Sequence, residues 1–258
     1  MAATKSSSNS FVTNTSSRTP FAVVESYKNL RTNIISVLSK NGGKVLAITS
    51  PNAAEGKSTT ALNIAITLSQ LSKKVIIVDA DTRHSTIHKK LKVENTIGCT
   101  DYLLGEKTLD EVTVKNSEYL DVITAGSRVK NSAELFSGRN FATFIGELEE
   151  KYDFVVFDTP PINLVSDTLV LAQQCDSVIM VVRANSTKYD AFEAAYESLN
   201  VLDIRLDGII INGSGSEKSY GKSYYKYGKH YYRYSYYGSH DHDESEKKDE
   251  PTEEENNN

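Results

Sequence analysis

The sequence predicts an α/β protein built on a doubly wound, mostly parallel sheet. Short runs rich in Val and Ile recur along the chain, separated by segments that are mostly long enough for crossover helices. The runs are nearly continuous in apolar residues, which is typical of parallel strands that are buried on both faces. An alternation of such strands with helices indicates a doubly wound sheet.

Six runs are predicted to be strands. They are KVLAITS from Lys44, KVIIVDA from Lys74, YLDVITA from Tyr119, DFVVFDT from Asp153, SVIMVVR from Ser177 and LDGIIIN from Leu206. Helical spacing of apolar residues is found in TTALNIAITLSQL from Thr59 and in ATFIGELEEKY from Ala142. Ligands of such folds bind at the carboxyl ends of the strands, so the segments after Ser50, Asp79 and Asp158 are the candidate site.

The two ends of the chain differ in composition from its middle. The first twenty residues are rich in Ser, Thr and Asn and lack the layout of a signal peptide. We therefore expect a disordered segment at 1–20, a domain at 21–213 and a flexible tail at 214–258. No apolar run approaches the roughly 20 residues that span a bilayer, which favours a cytoplasmic protein. The two cysteines are far apart, which favours free thiols over a disulfide or a metal site.

The net charge of −5 conceals a strong segregation of charge. Residues 241–255 carry nine acids against two lysines, whereas residues 218–238 carry five bases and no acid. Such blocks normally mark solvated, disordered segments. Aromatic residues beside cations also suit single-stranded nucleic acid, but we expect no nucleic-acid partner.

The segment after the first strand, PNAAEGKST, resembles a phosphate-binding P-loop, G-x-x-x-x-G-K-[ST]. Pro51 replaces the first glycine of this pattern, but the chemical half is intact. Gly56 lets the backbone approach a phosphate at the N-terminus of the next helix. Lys57 supplies charge to the β- and γ-phosphates, and Ser58 a hydroxyl ligand for Mg²⁺. The residues assigned to ATP binding are Ala54, Glu55, Gly56, Lys57, Ser58, Thr59 and Asn212.

Carboxylates follow the second and third of these strand ends. Asp79 and Asp81 point the same way if the strand continues, and they repel each other unless a cation or proton separates them. The alternative is a polar strand end with an Asx turn. Asp158 follows an apolar run and fits a metal-anchoring carboxylate, and the prolines at 160 and 161 force the chain out of the sheet. Each feature alone is ambiguous, but together they indicate one nucleotide site.

These motifs resemble those of the bacterial tyrosine kinases, the P-loop kinases that regulate capsule and exopolysaccharide assembly. The family patterns are S-x-x-P-x-E-G-K-S-T, Φ-Φ-Φ-D-x-D-x-R and Φ-Φ-Φ-D-x-P-P, where Φ is apolar. The matching segments here are Ser50–Thr59, IIVDADTR ending at Arg83, and VVFDTPP ending at Pro161. The resemblance runs from about Glu25 through the tyrosine-rich segment and implies a P-loop NTPase of the deviant Walker type.

The resemblance also implies the cofactors, ATP and Mg²⁺, and a role for each catalytic residue. Lys57 would contact the phosphates, while Ser58, Asp79 and Asp158 would hold the metal ion. Asp79 or Asp81 would orient or deprotonate the attacking phenol. Since Lys57 lies in a loop, we expect Lys57→Met to abolish tyrosine labelling and to leave the fold intact.

The tyrosine tract, residues 219–238, is expected to carry the phosphate acceptors. The bacterial tyrosine kinases that this chain resembles end in a tyrosine cluster, which one subunit phosphorylates on another. The acceptors here would be Tyr220, Tyr224, Tyr225, Tyr227, Tyr231, Tyr232, Tyr234, Tyr236 and Tyr237.

A charged stripe near the start of the domain is a candidate subunit contact. Glu25, Lys28 and Arg31 recur every three residues and would share one side of a helix. Composition alone favours a solvated face. The bacterial tyrosine kinases that this chain resembles, however, carry E-x-x-R-x-x-R here as a contact motif of ring-shaped oligomers. The resemblance therefore implies a homo-oligomer.

The resemblance implies two further partners. One is a membrane adaptor of the polysaccharide chain-length regulator type, which would activate the kinase and recruit it to the inner face of the membrane. The other is a cognate phosphotyrosine phosphatase. Two rival functions remain open: a partitioning or septum-positioning ATPase, which would carry an extra lysine where this chain has Asn52, and a nucleotide-dependent switch protein.

Overall fold

The structure is a computed structural model, and it describes residues 19–213. The strands are β1 (Val45–Thr49), β2 (Val75–Asp79), β3 (Thr113–Lys115), β4 (Leu120–Ile123), β5 (Phe154–Asp158), β6 (Ser177–Arg183) and β7 (Leu206–Asn212). The helices are α1 (Phe21–Asn41), α2 (Lys57–Ser69), α3 (Ile87–Leu91), α4 (Cys99–Leu103), α5 (Leu109–Val112), α6 (Ser132–Ser137), α7 (Arg139–Lys151), α8 (Asp167–Ala172) and α9 (Tyr189–Asn200).

Within the described residues the seven strands form one sheet in the order β3-β4-β2-β5-β1-β6-β7. Every neighbouring pair is parallel except β3 with β4. All six predicted strands and the doubly wound, mostly parallel arrangement are confirmed. The antiparallel edge strand β3 was not predicted, because three half-exposed residues are too few to show a periodicity.

One face of the sheet is covered by α1, α2 and α3. Helix α2 is buried on nearly every side because it lies against both the sheet and α1. Its side chains join Ile34 and Leu38 of α1 and Ile48 of β1 in one apolar cluster. This packing holds the N-terminus of α2 rigidly at the end of β1, where the predicted P-loop lies.

The opposite face carries α4 to α9 and an aromatic core. The rings of Phe136 and Phe141 are 5.2 Å apart, and the ring of Phe141 is 5.8 Å from that of Phe157 on β5, both in edge-to-face geometry. Phe157 directly precedes Asp158, so this core holds the end of β5 in place.

The remaining expectations about the domain concern its cysteines and its hydropathy. Cys99 and Cys175 are both free thiols, the first buried and the second half-buried, as predicted. Burial raises the pKa of each thiol well above its usual range. Over residues 19–213, every helix is too short or too polar to cross a membrane.

Candidate active site

Strand order brings the three predicted strand ends to one place. β5 lies between β2 and β1 in the sheet. Asp158 on β5 pairs in register with Asp79 on β2 and with Ile48 on β1. The carboxylates and the loop that follows β1 therefore meet at the carboxyl edge of the sheet, where an open α/β sheet binds its ligands.

The P-loop depends on the backbone of Gly56. This residue caps α2 with φ at +94°, a left-handed conformation that L side chains rarely adopt. A Cβ atom placed there would lie 1.9 Å from the side-chain nitrogen Nδ2 of Asn212. Asn212 Nδ2 in turn donates a hydrogen bond of 3.0 Å to the carbonyl of Glu55. Asn212, at the end of β7, thus packs directly on the loop.

The side chain of Glu55 has contacts that its place in the motif did not indicate. Its carboxylate accepts a 2.8 Å hydrogen bond from the Thr187 hydroxyl and a 3.2 Å hydrogen bond from the Asn52 amide. The Glu55 side chain is buried in these contacts. It therefore braces the loop against the segment that carries Thr187. Arg183 Nη1 adds a 3.1 Å hydrogen bond to the carbonyl of Ala54.

Lys57 is buried among carboxylates. Its ammonium lies 2.9 Å from Asp158 Oδ1 and 3.3 Å from Asp81 Oδ2, and it donates a 3.3 Å hydrogen bond to the Ser58 hydroxyl. Burial lowers the pKa of Lys57, but the charges of Asp158 and Asp81 outweigh burial and raise it. The sequence placed Lys57 in a loop, but Lys57 is the first residue of α2 and only 7% of its surface is exposed.

Asp79 is fully buried and oriented by a set of donors. Its Oδ2 accepts hydrogen bonds from the Ser85 hydroxyl at 2.8 Å and from the backbone amides of Thr86 and Ile87 at 3.1 Å each. Its Oδ1 accepts a 3.2 Å bond from the Asp81 amide, so the Asx-type contact that we considered as an alternative is present as well. Burial and the charge of Asp158 raise the pKa of Asp79 to about 7.

The residues assigned to Mg²⁺ fit that ion. Asp158 Oδ2 is buried and accepts no hydrogen bond from residues 19–213, which leaves a free carboxylate oxygen beside Ser58 and Asp79. Burial raises the pKa of Asp158 and outweighs the lowering by Lys57. No group of three or more His, Cys, Asp or Glu side chains in the described part of the chain could hold a metal ion alone. Mg²⁺ is usually held by one or two carboxylates together with waters and substrate phosphates, and the free oxygen of Asp158 could supply one such ligand.

The P-loop lines a cleft of about 620 Å³. Five of the loop residues assigned to ATP binding (Ala54, Glu55, Gly56, Ser58 and Thr59) line it, as do Lys57 and Asn212. Asp81 also lines the cleft, whereas Asp79 is fully buried. A cleft that joins a helix N-terminus, Lys57 and the Asp81 carboxylate, with Asp79 and Asp158 buried behind it, can bind a metal–polyphosphate complex.

Several residues in or beside the cleft escaped the sequence analysis. Arg183 is the last residue of β6, Thr187 lies in the segment after β6, Ser85 in the turn after β2, and Lys90 in α3. Arg183 ends a predicted strand and the other three follow predicted strands at some distance, and none of the four belongs to the motifs that were analysed.

The charged stripe on α1 is partly engaged within the chain. Lys28 forms an ion pair of 2.7 Å with Glu25 on the same helix. Arg31 Nη1 donates a 2.9 Å hydrogen bond to the carbonyl of Thr67 in the last turn of α2. The nine predicted acceptor tyrosines lie outside the described residues.

The fold and the site define a P-loop nucleotide-binding domain, and comparisons with known proteins agree. The family model described as AAA domain matches residues 32–206. Among solved structures, the kinase domain of the Escherichia coli tyrosine kinase ETK has a TM-score of 0.73 at 26% identity, covering 80% of this chain and 85% of that one. The chimerical protein CapA2B2 has a TM-score of 0.71 at 28% identity, covering 80% and 90%.

Sequence relatives narrow the class. The tyrosine-protein kinase YwqD of Bacillus subtilis is 37% identical over 78% of this chain and 85% of that protein. The tyrosine-protein kinase CpsD of Streptococcus agalactiae is 36% identical over 76% of this chain and 85% of that protein. The chain therefore belongs to the family of bacterial tyrosine-protein kinases, as its motifs predicted.

Proposed function

We propose that this protein is an ATP-dependent tyrosine kinase that phosphorylates the tyrosines of its own tract at 219–238 and regulates capsular or exopolysaccharide synthesis. The main observation in support is that Lys57, at the end of the P-loop, contacts both Asp158 and Asp81. Phosphoryl transfer needs positioning and charge neutralisation, which this set of residues supplies.

The loop and α2 would bind the phosphates of ATP. The first residues of α2 line the cleft, where backbone amides of a helix N-terminus can bind an anion, and Gly56 has no side chain to block a close approach. Lys57 would exchange part of its contact with the carboxylates for contact with the β- and γ-phosphates. The braces from Thr187, Arg183 and Asn212 hold the loop ready for this binding, which reduces the ordering cost of association.

Ser58, Asp79 and Asp158 would hold Mg²⁺ directly or through water. When bound, the ion would neutralise charge on the phosphate oxygens during transfer. The hydrogen bonds from Ser85, Thr86 and Ile87 fix the orientation of Asp79, which would act on the ion from behind the cleft, through its charge or through water.

Asp81 is the better candidate for the group that orients the acceptor. It lines the cleft, whereas Asp79 is fully enclosed by its donors. A phenol with a pKa of about 10 is mostly neutral at neutral pH, so a carboxylate that accepts its proton assists the attack. Asp81 Oδ1 already accepts a 2.9 Å bond from the His84 amide, which leaves Oδ2 for Lys57 or the phenol.

Assembly and regulation complete the proposal. The stripe of Glu25, Lys28 and Arg31 would contact a neighbouring subunit in a homo-oligomer, so that one subunit phosphorylates the tract of the next. A membrane adaptor would activate the kinase and recruit it to the membrane, and a phosphatase would reverse the modification. The similarity to CapA2B2, a chimerical protein, supports a second polypeptide in the working unit.

The alternative function, that of a partitioning ATPase, is less favoured than that of a tyrosine kinase. A plasmid partition protein of Borrelia burgdorferi is similar in structure, but at a TM-score of only 0.55 and 25% identity over 65% of this chain. Position 52, where that class carries an extra lysine, is Asn52, whose amide bonds to Glu55.

The experiment measures phosphotyrosine and released ADP after incubation of the purified protein with Mg-ATP, alone and with candidate adaptor tails. The proposal expects labelling of the tract that is strongest with an adaptor and absent in Lys57→Met. ATP hydrolysis without any labelling would favour the ATPase, and nucleotide binding with neither activity would favour a switch protein.

A further inference from the structure

Lys90 places a second lysine beside the P-loop helix. Its ammonium donates a 2.8 Å hydrogen bond to the hydroxyl of Thr59, in the first turn of α2 and two residues after Lys57. Lys90 belongs to α3, which follows the turn that carries Asp81. A contact between elements so distant in sequence brings a cation to the end of the helix where phosphates would bind.

The electrostatics of Lys90 connect it with the same cleft. It lines the cleft together with Lys57 and Asp81. Burial lowers the pKa of Lys90; the charge of Asp158 raises it and that of Lys57 lowers it again. The charge of Lys90 therefore interacts with Asp158 and Lys57, the residues assigned to the reaction.

Lys90 and Lys57 differ in what neutralises them. Lys57 has two carboxylates within 3.3 Å. Within residues 19–213, Lys90 forms no ion pair, and the group that accepts its hydrogen bond is the neutral hydroxyl of Thr59. A half-buried ammonium that forms no ion pair is costly, and an anion in the cleft would relieve that cost.

We propose that Lys90 binds the polyphosphate of the nucleotide directly, as a second phosphate-binding cation beside Lys57. The inference rests on the proposed nucleotide binding in this cleft and adds a residue that the motifs do not include. The alternative is that Lys90 only supports Thr59, or that it meets the acceptor segment instead of the nucleotide.

Three variants separate these possibilities. Lys90→Gln keeps a donor for Thr59 but removes the charge, whereas Lys90→Arg keeps the charge. Lys89→Met is the matched control, because Lys89 is the exposed neighbour on α3 and does not line the cleft. Dissociation constants for Mg-ADP and Mg-ATP are measured by titration calorimetry on the full chain, and thermal unfolding checks the fold of each variant.

We expect Lys90→Gln to raise the dissociation constants of both nucleotides on the order of tenfold, which corresponds to the loss of one charge-assisted hydrogen bond. The loss should shrink as salt is raised, because the contact is electrostatic. Lys90→Arg should retain most of the affinity and Lys89→Met all of it.

Unchanged nucleotide affinity in Lys90→Gln would overturn the inference, and a raised KM for an acceptor peptide in that variant would assign Lys90 to the acceptor. Equal losses in Lys90→Gln and Lys89→Met would also overturn it. If the parent chain binds no nucleotide, the proposed function fails first and the inference falls with it.

Discussion

The ammonium of Lys57 lies 2.9 Å from Asp158 Oδ1, across 101 residues of sequence, and both side chains are buried. The contact joins the loop after β1 to the end of β5. Asp79 and Asp81 stand beside it, so three carboxylates share one ammonium within a small volume. This excess of negative charge contributes to the raised pKa of Asp79 and leaves the site ready for a divalent cation.

The first prediction concerns Lys57→Met. We expect it to abolish tyrosine labelling and also to lower the free energy of unfolding, by about 3 kcal/mol, because Asp158 loses its counter-charge in a buried place. Chemical denaturation measures the loss. The double variant Lys57→Met/Asp158→Asn is the control, since it removes both charges and should recover part of the stability without recovering activity. Full stability of Lys57→Met would contradict the importance of this pair.

Most of the site's location could be predicted from the sequence, but not its internal contacts. The three strand ends carry recognisable motifs, so the cluster of Lys57, Asp79 and Asp158 was expected. The place of β5 between β1 and β2, which brings them together, depends on tertiary packing of the whole sheet.

The role of Glu55 shows the same limit. Its position within the P-loop motif indicated nucleotide contact. Its partner Thr187 is 132 residues away, and no local pattern indicates that the two side chains meet. Arg183 and Lys90 were missed for the same reason, since each acts on the loop or on α2 from a distant part of the chain.

The second prediction compares two glycines with positive φ. Gly56→Ala and Gly42→Ala should each cost about 1 kcal/mol of stability from the left-handed backbone alone. A Cβ on Gly42 meets nothing within 4 Å, whereas one on Gly56 would displace Asn212. We therefore expect only Gly56→Ala to lose the rise in melting temperature that Mg-ATP produces. Normal stabilisation of Gly56→Ala by the nucleotide would argue against this loop as the phosphate site.

The third prediction separates stability from assembly on α1. Arg31→Ala removes a cation from the last turn of α2 and should cost about 1 kcal/mol, whereas Lys28→Ala breaks only an exposed ion pair and should cost less than about 0.5 kcal/mol. Both variants should reduce the mass of the oligomer in light scattering. If neither changes that mass, the stripe is a solvated face.

The fourth prediction concerns pH and α5. Hydrogen bonds lower the pKa of Glu111 from 4.5 to about 2. The largest effect comes from the backbone amide of Thr108, and the side chains of Lys107 and Thr108 add smaller ones. A lowered pKa in the folded state stabilises the protein above the unfolded pKa, and this contribution is lost as pH falls toward the folded value. At pH 7 the melting temperature of Glu111→Gln should therefore be slightly lower than that of the parent. This difference in melting temperature should shrink below about pH 4.5. A constant difference across this range would exclude the carboxylate as its cause.

The most direct test of the central claim mixes two variants that are each unable to label themselves. The donor has all nine tract tyrosines replaced by phenylalanine, and the acceptor is Lys57→Met with an intact tract. After incubation with Mg-ATP, mass spectrometry locates the phosphate. The account predicts phosphotyrosine within residues 219–238 of the Lys57→Met chain in the mixture and none when either variant is incubated alone. ATP consumption by the donor with no phosphate on the acceptor's tract would contradict it.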